Sequence, residues 1–347
     1  MTECVRAFAP GRVNLIGEHT DYNGGLALPF AVRDGVTVIA SASHDGRVVA
    51  EAHDLGERDS FALGDRAPAS GWRAFVRGAV AELLTSEVPL PGASLEITGT
   101  LPRGSGLSSS AALAVALCLA LIGIAGETPP DRVALAQICS RIENDWVGAQ
   151  TGLLDQLASL FGQTDHATLI DFRSLEVRTL PLDLGEHRLV TLDSGERHSN
   201  AIGGYNQRRH ECEAACRALG LRHLSEADLS AARALSAPLD RRVRHVVSEN
   251  ERVLATVDAL ERGDLVELGR LLDASHASLR DDYEVSTPAV EAAVEALRDA
   301  GALGARVIGG GFGGHVLGLM PPGAGTPEGA LEVRPGPGAR LLDGDGR

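Results

Sequence analysis

The sequence predicts an α+β protein of two lobes, in which mixed sheets pack against helices. Three observations predict it. A chain of 347 residues with 44% hydrophobic content has more core to bury than one small domain needs. Its first half alternates short Val- and Ala-rich strand segments with amphipathic or wholly apolar helical ones. Its second half is mainly helical from Tyr205 to Ala300 and returns to β character between Ala305 and Met320, around a glycine cluster. The best division falls within residues 163–175, so we set the domains at 1–165 and 166–347.

Taken in order, residues 36–41 and 47–52 flank His44-Asp45-Gly46 and read as a β-hairpin. Across residues 72–84, Trp72, Phe75, Val76, Ala79, Val80 and Leu83 share one helical face. Residues 94–98 read as a strand, and 101–110 as a loop feeding residues 111–125. That apolar run is short for a membrane span and rich in Ala, so we read it as a buried helix. Helices follow at 131–147 and 153–161, the second opened by Thr151-Gly152, then strands at 167–171 and 188–193. Within 240–261, Arg and Glu alternate at three- and four-residue spacing, the pattern of a solvated face. The tail from Pro321, rich in Pro and Gly, predicts an irregular run or one edge strand. There is no internal repeat.

Composition narrows the function. The formal charge of -15 and the 3% aromatic content argue against a polyanion partner and base-stacking platforms, hence against nucleic acid. All 32 basic residues are Arg, so a phosphate site here must use backbone amides, helix dipoles, a metal ion and Arg. Both the Walker lysine and the protein-kinase strand lysine are thereby excluded. Five scattered cysteines fit a reducing cytoplasm rather than a disulfide framework, and Cys212 and Cys216, one turn apart, lack a second pair with zinc spacing. MTECVRAFAP carries no signal-peptide core, so we expect a cytoplasmic protein without a membrane partner. A monomer is the default expectation.

Chemistry concentrates in three motifs. Residues 10–23, PGRVNLIGEHTDYN, interleave Arg12, Glu18, His19 and Asp21 with Val13, Leu15 and Ile16, among residues suited to tight turns. Four different polar functions so spaced predict side chains held toward one ligand. In LPRGSGLSSSAA, Gly104 and Gly106 precede Ser108, Ser109 and Ser110 and an apolar helix starting at about Ser108. Unpaired amides and the positive end of the helix dipole favour an anion there, and the hydroxyls can add hydrogen bonds or a magnesium ligand. A serine N-cap after an ordinary glycine turn is the alternative; three serines with two glycines favour phosphate. The third motif, residues 309–314, formally matches G-x-G-x-x-G but lacks the following helix and strand of a dinucleotide site, so its glycines serve close backbone approach. Two carboxylates complete the set. Glu143 in RIENDWVG reads either as a buried ligand or as a solvated helix residue; Asp155, flanked by Leu153, Leu154 and Leu157, reads as a functional carboxylate or a helix-start charge.

The stretch PGRVNLIGEHTDYNGGLALP resembles the galactokinase signature, LPRGSGLSSSAALA the phosphate loop of the wider GHMP kinases, and GGGFGG their third motif. GLLDQLASLFG, LIDFRSL and GGYNQRRHECE also resemble galactokinase segments, so the similarity spans the chain. The resemblance implies the two-domain GHMP kinase fold with its active site in the cleft between the lobes. It implies ATP and Mg2+ as co-substrate and metal, and phosphorylation of the anomeric hydroxyl of α-D-galactose to the 1-phosphate, the first step of galactose catabolism. Residue by residue, Glu18, His19, Thr20 and Asp21 would meet the sugar together with Gly152, Asp155 and Tyr205. Arg12 would stand beside Asp155 and stabilise the transferring phosphoryl group. Gly104, Ser105, Gly106, Leu107, Ser108, Ser109 and Ser110 would wrap the ATP phosphates, with Ser110 and Glu143 on magnesium. Asp155 would act as base for the anomeric hydroxyl or position it as an anion.

Two rival functions stay open: a kinase for N-acetylgalactosamine or arabinose, and a non-catalytic galactose and ATP sensor. The intact Ser108-Ser109-Ser110-Ala111-Ala112 run and Asp155 favour catalysis. The chain departs from the family pattern at Ile308 and His315, where Thr and Cys are usual, in DSGERHS at residues 193–199, and in a compressed tail that predicts a trimmed second domain.

Overall fold

The computed structural model describes residues 4–102, 106–197 and 201–342. Strand β1 (Cys4–Asn14) runs through the first half of the opening motif, which the glycines had suggested was turn. A register shift between Pro10 and Arg12 lets the strand carry Pro10, which donates no hydrogen bond. Residues 15–25 then form a loop with a 3-10 turn at Asp21–Asn23, followed by β2 (Leu26–Ala27) and β3 (Pro29–Ser43).

β4 (Arg47–Ala52) and β5 (Glu57–Ala62) precede α1 (Trp72–Thr85) and β6 (Gly92–Gly99). The expected hairpin of residues 36–41 with 47–52 does not form. β6 lies between them, antiparallel to β3 and parallel to β4, while β4 makes its hairpin with β5. The turn at His44-Asp45-Gly46 is compatible with both pairings. Tertiary burial of Ala93, Leu95 and Ile97 on β6 decides between them.

α2 (Ser109–Ile124) is buried almost throughout and packs on β1 and β3, as an all-apolar helix must. α3 (Arg132–Arg141) ends earlier than expected and widens into a π-helical segment, Ile142–Val147, a local irregularity common at functional sites. α4 (Leu154–Phe161), β7 (His166–Asp171), β8 (Glu176–Pro181) and β9 (Arg188–Arg197) follow. Next come α5 (Ala201–Leu219), α6 (Leu239–Arg262), α7 (Leu265–Asp281) and α8 (Pro288–Asp299), then β10 (Gly304–Ile308), β11 (Gly313–Met320), β12 (Leu331–Val333) and β13 (Arg340–Leu342). His198 and Ser199 of the DSGERHS stretch lie outside the described residues.

The strands form three sheets, ordered β13-β1-β3-β6-β4-β5, β10-β11-β9-β12 and β2-β7-β8. Strand pairing crosses residue 165 twice, where β2 meets β7 and where β13 returns to β1. The tail thus supplies strands to two sheets. Its composition hid them because each is three residues long, and Val333 alone among their side chains is buried.

α6 corrects another expectation. Arg242, His245 and Glu249, on the supposed solvated face, are buried. They fall in step with Val246, Val253 and Leu260 on the apolar stripe, and ion pairs neutralise the charges: Arg242 with Glu211 at 2.6 Å and Glu284 at 2.8 Å, Glu249 with Arg252 at 2.7 Å. Among the described residues no helix is long and apolar enough to cross a membrane.

Candidate active site

The loop after β1 is held from behind by buried groups of the second half of the chain. Glu249 accepts the Gly17 N–H at 3.0 Å and the Ser275 hydroxyl at 2.7 Å, and Asn250 accepts the Leu26 N–H at 2.8 Å. Arg306, fully buried on β10, donates to the carbonyls of Asn14 and Leu15 at 3.1 and 3.0 Å and pairs with Glu18 at 3.1 Å. The same Glu18 oxygen accepts the Gly309 N–H at 2.8 Å. Apart from the Ser275 bond, each of these crosses from one half of the chain to the other, so packing of the lobes fixes where the loop points.

Thr20 belongs to this scaffold. Its hydroxyl bonds the carbonyls of Gly17 and Leu26 at 2.9 and 2.7 Å, and the side chain does not reach the cleft. His19, in the left-handed region at φ 59°, does reach it. The chain has three tyrosines, and all three surround this ring: Tyr283 at 4.7 Å, Tyr205 at 5.2 Å and Tyr22 at 5.9 Å between centroids. His19 Nδ1 lies 2.8 Å from the Tyr22 hydroxyl, which lies 2.9 Å from that of Tyr283. Burial, helped by nearby His245, pushes the His19 imidazole down to about 3, so it is neutral at physiological pH. Its buried Nε2 has no well-formed hydrogen bond within the protein, although the nearby Gly310 backbone works against the depression.

Asp21 and Gly152 meet directly. A Cβ at residue 152 would overlap the Asp21 carboxylate, so only glycine leaves this acid its place. Burial, reinforced by the charges of Asp155 and Glu18 and opposed by a backbone hydrogen bond at Tyr22, pushes the Asp21 carboxyl up to about 6. Glu18, His19, Asp21, Gly152, Asp155 and Tyr205 together line a cleft of about 290 Å3.

A second pocket of about 280 Å3 adjoins it, lined by Gly106, Leu107, Ser108, Ser109 and Ser110. Arg12 and the backbone of residues 309–311 line both. Arg12 spans the junction: Nε and Nη2 each lie 2.8 Å from Asp155 Oδ1, and Nη1 donates to the Gly106 carbonyl at 2.7 Å. Its own N–H donates to the Leu107 carbonyl at 3.0 Å, an approach that a side chain at Gly11 would block.

Ser108 stands at the N-cap of α2 but does not cap it. It is left-handed at φ 56°, and its hydroxyl donates to Asp155 instead. With no side-chain cap, the first amides of this helix remain available to an anion in the pocket. Gly104 and Ser105 lie outside the described residues.

Ser110 links this pocket to Glu143, which is buried behind it and hydrogen-bonded by Ser110, Thr151 and Gln156. All three donors are neutral. Burial, with the Asp155 charge second, pushes the Glu143 carboxyl up to about 7, the mark of an acid short of positive charge. Ile308 and His315, the two departures flagged in the sequence, are cross-strand partners on β10 and β11, and both line the second pocket.

Sequence reasoning missed Glu249, Asn250, Arg306, Tyr22 and Tyr283. Signals existed for two. Arg306 interrupts an apolar strand, and Glu249 lies at helical spacing with Val246, Val253 and Leu260. A charge on an apolar stripe announces a buried partner.

Comparison with known proteins bears on this geometry. The galactokinase galactose-binding signature matches residues 2–42, the GHMP kinases N terminal domain 74–163 and the GHMP kinases C terminal domain 256–327. Galactokinase from Mycobacterium tuberculosis is 45% identical over 321 residues, 90% of this chain and 88% of that one. Galactokinase from Roseiflexus is 44% identical over 330 residues, 90% and 82% of the two chains. The crystal structure of Lactococcus lactis galactokinase complexed with galactose superposes with a TM-score of 0.91 at 32% identity, covering 98% of this chain and 95% of that one. With the signature falling on the loop that carries Glu18, His19 and Asp21, the chain belongs to the galactokinase family of GHMP kinases.

Proposed function

We propose that the first pocket holds α-D-galactose and the second the phosphates of ATP, and that the γ-phosphoryl group passes to the anomeric hydroxyl at their junction. One observation carries this reading: Arg12 lines both pockets and is clamped between Asp155 and the Gly106 carbonyl. Phosphoryl transfer asks for alignment of the attacking and leaving oxygens and for charge stabilisation between them. A guanidinium fixed at that junction supplies both.

Glu18, Asp21 and neutral His19 face the hydroxyls, with Tyr205 as the apolar wall. His19 offers its unsatisfied Nε2, and Asp21 offers a carboxylate to accept. Asp155 already receives Arg12 on one oxygen and Ser108 on the other, so it serves first to orient the anomeric hydroxyl. It takes the proton late, as a loose transition state requires little early abstraction. The free amides at the start of α2 and the hydroxyls of Ser109 and Ser110 hold the phosphates.

Among the described residues no group of His, Cys, Asp and Glu is arranged to hold a metal by itself. Glu143 and Ser110 nevertheless fit magnesium: hard oxygen donors, one of them a buried carboxylate short of a cation, with phosphates to complete the shell. Bound there, the ion would supply neutralisation of phosphate charge. Free thiols, neutral sugar and ATP all suit a cytoplasmic setting.

The test is ADP release from ATP and magnesium with a panel of galactose, N-acetylgalactosamine and arabinose. Turnover should appear with galactose. Turnover with another sugar of the panel and none with galactose would overturn the substrate.

A further inference from the structure

We infer that Gln156 is a positioning residue for the metal, holding the Glu143 carboxylate by one oxygen and leaving the other for magnesium; the inference rests on Glu143 being the magnesium ligand proposed above. Gln156 is fully buried and directly follows Asp155 at the start of α4. Successive residues of a helix point about 100° apart. Asp155 therefore reaches the cleft while Gln156 turns inward, where its Nε2 donates to Glu143 Oε2. The Thr151 hydroxyl donates to the same oxygen at 3.4 Å. Both donors thus take Oε2, and Oε1 receives neither.

An amide suits this task better than a cation. A guanidinium in its place would neutralise Glu143 and compete with the metal, whereas a neutral donor fixes the carboxylate's orientation and leaves it its charge. Packing alone does not account for the residue. Gln156 Oε1 is buried without a hydrogen-bond partner, a cost that a Met of similar volume would not carry. α4 packs against α2, which starts with Ser109 and Ser110, and against α3, which leads into the segment carrying Glu143. One helix start therefore sets both Asp155 at the reacting hydroxyl and, through Gln156, the carboxylate at the metal.

The experiment titrates Mn2+, a probe that takes the same oxygen donors, into wild type, Gln156→Met, Glu143→Gln and the double variant, each loaded with a non-hydrolysable ATP analogue, with thermal melting to check the fold. Gln156→Met should weaken Mn2+ binding roughly tenfold, the lower end of what loss of a group orienting a metal ligand costs. Binding of the analogue in EDTA and of galactose should stay unchanged. Placed in Glu143→Gln, the same substitution should cost nothing further, because the group it positions is gone. Gln156→Asn, which keeps the amide but draws it back by one methylene, gives the same reading if the Met variant folds poorly. Unchanged Mn2+ affinity in the folded Gln156 variant, or a loss of equal size with and without Glu143, overturns the assignment. Unchanged Mn2+ affinity in Glu143→Gln would instead overturn the magnesium reading on which it stands.

Discussion

The pocket proposed for galactose is walled by side chains that other side chains hold, whereas the one proposed for the phosphates is walled largely by glycines and serines. Glu18 is fixed by Arg306 and the Gly309 amide, and His19 by a ring of three tyrosines. Across the cleft, the uncapped amides of α2 and residues 309–311 do the holding. The difference follows from the ligands. Telling one sugar from another requires fixed donors and acceptors, since an analogue missing a hydroxyl leaves a buried group unpaired. A phosphate chain presents the same oxygens in every nucleotide, so backbone amides and a helix dipole can hold it without a set of aimed side chains.

The largest effect should come from cutting the junction between the halves. Asp155→Ala should lower kcat by about 10^3-fold or more, the scale of a lost catalytic acid–base or orienting group, and leave ATP binding within a factor of about two. Single-turnover rates and nucleotide titration check it together. Undiminished turnover would remove Asp155 from the mechanism.

Next in size is a change confined to the sugar side. Gly152→Ala drives a methyl into the Asp21 carboxylate, so the acid must leave its place. Galactose KM should rise roughly 100-fold, two hydrogen bonds to a charged group being lost, while ATP KM stays put. A parallel rise in both constants would mean that the pockets share one scaffold and that the contrast between them is wrong.

That contrast also explains what was legible in the sequence. Backbone-built sites announce themselves locally: Gly106, Ser108, Ser109 and Ser110 sit together before an apolar helix, and their spacing alone pointed to an anion. For the sugar side, Glu18, His19 and Asp21 were visible as a cluster, but the groups that aim them were not. Glu249 and Arg306 contact the loop from 232 and 288 or more positions away, and no local pattern encodes a partner that distant. Thr20, between His19 and Asp21, was read with them as a sugar contact; its hydroxyl bonds the Gly17 and Leu26 carbonyls. The same limit shaped the fold. α1 was legible from periodicity and α2 from its unbroken apolar run, whereas insertion of β6 between β3 and β4 depends on burial that only the assembled sheet provides.

pH offers a smaller, reversible lever on the sugar half. Burial raises the Asp21 carboxyl from its ordinary 3.8 to about 6 in the folded protein. Above that value the group is a carboxylate able to accept from a hydroxyl; as pH falls through it, the acceptor is protonated. Galactose affinity, measured by calorimetry without nucleotide, should therefore weaken about tenfold between pH 7.5 and 5. His19, already neutral and held down to about 3, does not titrate in this window and cannot mimic the effect. Asp21→Asn should bind weakly at every pH with a flat profile. A flat profile in the wild type would show that another group presents the acceptor.

The smallest effect tests whether the tyrosine ring serves the sugar pocket alone. The Tyr22 hydroxyl joins His19 Nδ1 at 2.8 Å to the Tyr283 hydroxyl at 2.9 Å, and Tyr283 in turn meets the Cys212 thiol at 3.0 Å. Tyr22→Phe removes one oxygen and no ring. Tyr283 keeps its thiol neighbour, but His19 loses the group that specifies which of its nitrogens carries the proton. The Nε2 turned toward the sugar then exists as a mixture of donor and acceptor. Stability should drop by about 1 kcal/mol, the net worth of one buried hydrogen bond, read as a shifted denaturation midpoint. Galactose KM should rise about threefold, roughly half a tautomer's discrimination, and ATP KM should not move. If ATP KM rises with it, the hydroxyl chain reaches across the Arg12 junction, and the two pockets are one network rather than two constructions.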